Sequence, residues 1–82
     1  MGTIIFRIGS ISTGANPIQF IRIFSNEFDM RCFIGDLRCW CVANYDPDTH
    51  YSLRTTQNGV VRDFVFDAQN GNFFSRELFG NI

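Results

Sequence analysis

Asp46, Asp48 and His50 alternate along the chain, so an extended backbone would point two carboxylates and an imidazole the same way. That is the raw material of a divalent-metal or acid–base cluster. The same stretch has a plainer reading. Asp-Pro-Asp is ordinary turn chemistry, and the spacing implies no convergent pocket. We therefore expect a solvated turn that leads into a surface pair between His50 and Asp67.

Cys32, Cys39 and Cys41 are the next candidates. Tetrahedral zinc would need a fourth ligand on a nearby loop, and His50 falls in a different predicted hairpin. An odd number of thiols also suits a reducing compartment better than a disulfide framework. The expectation is buried thiols acting as small hydrophobes. Gly9 to Gly14 is a polar loop in which no serine has glycine two residues before and two after, so it is not a nucleophile elbow. The chain has no lysine at all, which removes phosphate-loop and Schiff-base chemistry. With a single histidine and only Ser52 near it, no triad can be assembled. No catalytic, cofactor-binding or metal-binding residue is assigned, and the chain is read as a non-enzyme.

Arg31, Phe33, Arg38 and Trp40 suggest binding instead. If Gly35-Asp36 is a two-residue hairpin turn, Arg31 faces Trp40 and Phe33 faces Arg38 on one side of the ribbon. Such a checkerboard of guanidinium and aromatic groups suits cation–π contacts. Exposed, it would serve as a protein-binding hot spot or a platform for single-stranded bases. Buried, it would be packing with the Arg heads reaching water. These four residues are the predicted partner-binding set. On the same hairpin, Met30, Cys32, Ile34, Leu37, Cys39, Cys41 and Ala43 would form an apolar thiol face.

The elements that must position these groups are read from turn signals. Asn58-Gly59 separates two strand-like runs and sets Gln57 opposite Val60 and Arg54 opposite Asp63. One face then carries Tyr51, Leu53 and Thr55 against Val60, Arg62, Phe64 and Phe66. A slip of one residue would break both charge pairs and mix the faces. Ala68 to Gly71 forms a third turn, with Gly71 left-handed and Phe66 opposite Phe73; the same register sets Asp63 against Arg76 and Arg62 against Glu77. Residues 3–8 read as a strand. Residues 16–28 have two readings. Asn16-Pro17 looks like a helix start, whereas Ile18, Ile21 and Ile23 favour a central strand buried on both faces.

The predicted fold is mainly β: a small antiparallel sheet or meander of five to seven short strands. Hairpin turns fall at 35–36, 58–59 and 68–71, with at most one helix at about residues 16–28. The alternative is α+β, with that helix packed on the sheet. At 82 residues there is room for a single domain over residues 1–82. Ten Phe point to an aromatic core.

A net charge of −1 gives no bulk attraction to nucleic acid or anionic membrane. Met1 to Ile8 is too short and too charged for a signal peptide, and no apolar run reaches spanning length. A cytoplasmic protein without membrane contact is expected. The function expected is a small protein-binding module of the inhibitor, immunity or accessory type found in phages and mobile elements. It would block a larger partner through the Arg/aromatic face or a sheet edge, and a homodimer is expected. The alternative is a single-stranded nucleic-acid binder, which the acidic balance disfavours; a small metal-dependent enzyme ranks last.

Overall fold

The computed structural model describes residues 1–14 and 16–75. They form β1 (Gly2–Ser10), β2 (Ile18–Phe24), α1 (Glu27–Ala43), β3 (Thr49–Gln57), β4 (Val60–Asp67) and β5 (Asn72–Ser75). The strands make one antiparallel sheet in the order β2-β1-β3-β4-β5. The protein is thus mainly β, with one helix packed on the sheet. Because β2 and β3 both flank β1, the chain crosses from one to the other through α1.

Two of the three predicted turns are present. Asn58 and Gly59 both have positive φ, as a two-residue hairpin requires, and Gln57 pairs with Val60 and Arg54 with Asp63. The Arg54 guanidinium grips Asp63 through Nε–Oδ1 at 2.7 Å and NH2–Oδ2 at 3.2 Å. The longer turn closes at Gly71 with φ +68, setting Phe66 opposite Phe73 and Asp67 opposite Asn72. Arg76 and Glu77 lie outside the described residues, and with them their expected partners on β4.

The third predicted turn is corrected. Gly35-Asp36 lies inside α1, and no hairpin forms there. The physical reason is a period of 3.6: Met30, Phe33, Ile34, Leu37 and Cys41 recur at helical spacing along one stripe. Asn26 caps that stripe, its side chain accepting from Asp29 N at 2.8 Å. Glu27 and Asp29 supply the negative charge that a helix N-terminus favours. At the other end Asn44 donates its backbone N–H to Trp40 O at 3.0 Å.

The expected helix at 16–28 is corrected as well. Residues 18–24 are a strand, because Ile18, Ile21 and Ile23 suit a pleated surface and β1 offers a template of matched length. Seven pairs run from Gly2↔Phe24 to Ile8↔Ile18. The strand alternative therefore holds for residues 18–24, but its central placement does not, since β2 is the edge of the sheet. Its Arg22 does share a face with Ile18, Phe20 and Phe24. The misfit is absorbed by stacking: the guanidinium lies 4.9 Å from the Phe33 ring centroid and 5.9 Å from that of Phe24. The expected His50–Asp67 pair is not made either. The β3–β4 ladder ends at Ser52↔Val65, His50 pairs with Gly9 on β1, and the Asp67 carboxylate accepts from Gln69 N and Asn70 instead.

The core lies between α1 and one face of the sheet. One cluster joins Phe6, Cys41, Tyr51, Leu53 and Phe66; the other joins Ile4, Phe24 and Met30. Ile34 and Leu37 of the helix pack against both. Aromatic edges hold the larger cluster: Tyr51 and Phe66 meet at 6.0 Å, Phe66 and Phe73 at 5.6 Å. Tyr51 also donates its hydroxyl to Asn44 O at 3.1 Å, tying the helix end to β3. Among the described residues no helix is long and apolar enough to cross a membrane.

The correction at Gly35 is open to test. A Cβ built there meets nothing within 4 Å, so Gly35→Ala should raise unfolding stability by about 0.5–1 kcal/mol, as for a mid-helix glycine with room for a methyl group. A hairpin turn with positive φ at that position would give a loss. Urea denaturation of the two proteins reads the sign.

Candidate functional site

The four residues predicted as one binding face do not share one. Seven residues fall only about 20° short of two helical turns, so Arg31 and Arg38 stand together on α1. Phe33 and Trp40 stand together on the opposite flank. Arg31 pairs with Glu27 at 2.9 Å. Arg38 donates to the Gly71 carbonyl at 3.3 Å and braces the β4–β5 turn. Phe33 packs against Phe24 at 5.3 Å, and Trp40 stands edge-on to Phe6 at 6.2 Å and to Tyr51 at 6.0 Å. A two-residue period would have mixed these side chains into a checkerboard; the helical period sorts them into a cationic flank and an aromatic one.

The aromatic flank borders β2, the feature that stands out on this surface. Ile18 (61% exposed), Phe20 (55%), Ile21 (62%) and Ile23 (69%) leave an edge strand apolar on both of its faces. Only Phe24 of this strand is buried. Soluble proteins usually blunt such an edge with lysine, an internal proline, a bulge or an inward charge. Here Pro17 precedes the strand, the β1–β2 register runs without a bulge, and the one charge, Arg22, lies over Phe33. Between β2 and α1 runs an apolar groove of about 380 Å³, with Phe6, Phe20, Phe33, Leu37 and Trp40 on its walls. Phe33 and Trp40 thus belong to the candidate site, whereas Arg31 and Arg38 do not. Sequence reasoning passed over Ile18, Phe20, Ile21 and Ile23 as core. Apolar residues on both faces of a strand fit a buried centre as well as a bare edge, and only the topology separates the two.

Two other hollows flank the helix. One of about 450 Å³ has Glu27, Arg31 and Arg62 on its rim, and the Glu27–Arg31 pair neutralises part of its charge. Another of about 390 Å³ lies between Arg31, Arg38 and the ring of Phe73. On the uncovered sheet face, Val61 and Phe74 are about half exposed beside the Arg54–Asp63 pair.

The carboxylate, histidine and thiol candidates sit elsewhere. Asp48 is a structural clamp: it accepts from Ser10 Oγ at 3.0 Å, from Ser12 Oγ at 2.9 Å and from Ser12 N at 3.2 Å. Asp46 accepts from Asp48 N at 3.0 Å, closing the turn on itself. The Gly9–Gly14 segment is therefore pinned to the start of β3. Among the described residues, no group of three or more His, Cys, Asp or Glu side chains is gathered for a metal ion. The apolar thiol face is corrected: the helix buries Cys41 and exposes Cys32 and Cys39.

Burial raises the Cys41 thiol to about 11, which keeps it protonated and unreactive at neutral pH. Iodoacetamide at pH 8 should therefore label Cys32 and Cys39 in the folded protein. It should reach Cys41 only after denaturation, with mass spectrometry of the peptides as the readout. Equal labelling of all three in the folded state would contradict the buried position of Cys41. No protein-family model, curated protein or solved structure matches the chain, so these geometries stand without a relative beside them.

Proposed function

We propose that this protein is a non-enzymatic, protein-binding module whose docking element is the β2 edge with its adjoining groove. One observation carries the reading: a seven-residue edge strand presents Ile18, Phe20, Ile21 and Ile23 to water without a lysine, an internal proline or a bulge, its one charge, Arg22, being drawn in over Phe33. Its backbone edge can accept another strand, and the groove beside it can seat that strand's side chains. Phe20 and Trp40 are aromatic anchors of the kind that concentrate binding energy.

In cellular terms the reading is a small inhibitor, immunity or accessory protein of the cytoplasm, of the type carried by phages and mobile elements. Reduced thiols and modest size fit that role. The single-stranded nucleic-acid alternative loses its main support, because Arg31 and Arg38 lie on the far flank from Phe33 and Trp40. A net charge of −1 adds nothing in its favour.

The test is affinity capture with the full chain as bait, comparing wild type with Ile23→Lys and with Val61→Lys on the uncovered face. Ile23→Lys should abolish capture of any specific partner, while Val61→Lys should retain it. Both positions are more than half exposed, so circular dichroism should show both variants folded. A partner held equally by wild type and Ile23→Lys would place docking away from β2.

A further inference from the structure

We infer that the occupant of the β2 edge is a second copy of this chain, paired antiparallel about a two-fold axis through Ile21. The inference rests on reading β2 as the docking edge and names what docks there.

Symmetry and charge select the register. An isologous antiparallel pair places residue i opposite residue j with i + j constant. The sum must be even for outward-pointing backbone groups to meet and for both sheets to keep the same face. Three sums remain near the strand centre. A sum of 44 sets Arg22 directly against the partner's Arg22, which like-charge repulsion opposes. A sum of 40 sets Phe24 opposite Asn16, beyond the start of the strand, and loses two of the seven pairs. A sum of 42 uses all of Ile18–Phe24. It sets Ile21 against the partner's Ile21, Gln19 against the partner's Ile23, and Phe20 against the partner's Arg22. The only charge on the strand then meets an aromatic ring, continuing the stack that Arg22 already makes on Phe33 at 4.9 Å.

The geometry also closes. A two-fold axis perpendicular to the sheet leaves both helices on the same side of one continuous ten-stranded sheet, and the two grooves meet across the new seam. Pairing β2 with β2 consumes the apolar edge in one step and ends there. A net charge of −1 per chain opposes the association only weakly.

Disulfide trapping reads the register. In a Cys32→Ser/Cys39→Ser background, Ile21→Cys should cross-link to itself, because directly opposed strand residues lie about 4.5–5.5 Å apart at Cα, within disulfide reach. Ile23→Cys should not cross-link to itself, since its copies would stand about 14 Å apart. It should cross-link when mixed with Gln19→Cys. Sedimentation of the wild type should give twice the 9.4 kDa chain mass. Ile21→Lys should weaken self-association by about 100-fold or more, since two buried Ile side chains are lost per dimer.

A wild type that sediments as a monomer at concentrations of several hundred micromolar overturns the proposal. So does a dimer undisturbed by Ile21→Lys, or an Ile23→Cys protein that cross-links alone as fast as Ile21→Cys. A monomeric wild type whose specific partner is lost in Ile23→Lys would leave the docking edge in place and refute only the second copy as its occupant.

Discussion

A helix about 10 Å across cannot cover a five-stranded sheet whose outer strands stand about 19 Å apart. Everything else on this surface follows from that mismatch. Buried side chains concentrate on the two strands beneath the helix: Ile4 and Phe6 on β1, and Tyr51, Leu53 and Thr55 on β3. Each of the neighbours β2 and β4 contributes a single buried hydrophobic residue, Phe24 and Phe66. What the helix cannot reach must be covered by something else or stay wet.

The two flanks meet that shortfall differently. Toward β5, polar side chains and a turn line the shortfall: Arg38 reaches the Gly71 carbonyl, Phe73 backs onto Phe66, and a hollow of about 390 Å³ remains beside them. Toward β2 the filling is aromatic and incomplete. Phe33 and Arg22 stack over Phe24, but Phe20 and Trp40 leave a channel between them. Polar side chains can finish a surface against water; aromatic ones finish it only against another apolar surface. The asymmetry between a cationic flank and an aromatic flank is set by the helical period, which separates Arg31 and Arg38 from Phe33 and Trp40.

Much of the β architecture was legible in the sequence because its signals are local. Asn58-Gly59 and Gly71 dictate backbone conformations that few other residues accept, and the register follows from loop length, down to Arg54 against Asp63. Residues 18 to 43 were harder to read, for reasons that differ between the helix and β2. A Gly-Asp dipeptide and alternating apolar residues suggested a turn between strands, although Met30, Phe33, Ile34, Leu37 and Cys41 also fit a helix and Asn26 with Asp29 fit its cap. In β2, Asn16-Pro17 imitated a helix start, and Arg22 broke the alternation that would have marked a strand. The stack on Phe33 that tolerates Arg22 is a tertiary contact, invisible until the helix is in place. The candidate site suffered accordingly: two of its predicted residues, Phe33 and Trp40, border the groove, while the edge itself was taken for core.

The clamp at Asp48 bears on how the chain reaches this state. Ser10 and Ser12 bind Asp48 at one end of the β1–β3 ladder, whose pairs run from Ser10↔Thr49 to Gly2↔Gln57. Those partners are far apart in sequence, whereas β3, β4 and β5 are joined by short turns. Loop closure therefore costs little entropy within the C-terminal hairpins and much more for β1. In chain entropy, pairing within β3, β4 and β5 is the cheaper closure and docking β1 on β3 the dearer one. The hydrogen bonds at Asp48 hold the end of the ladder with the shortest sequence separation. They are well placed to start the closure that the remaining pairs complete.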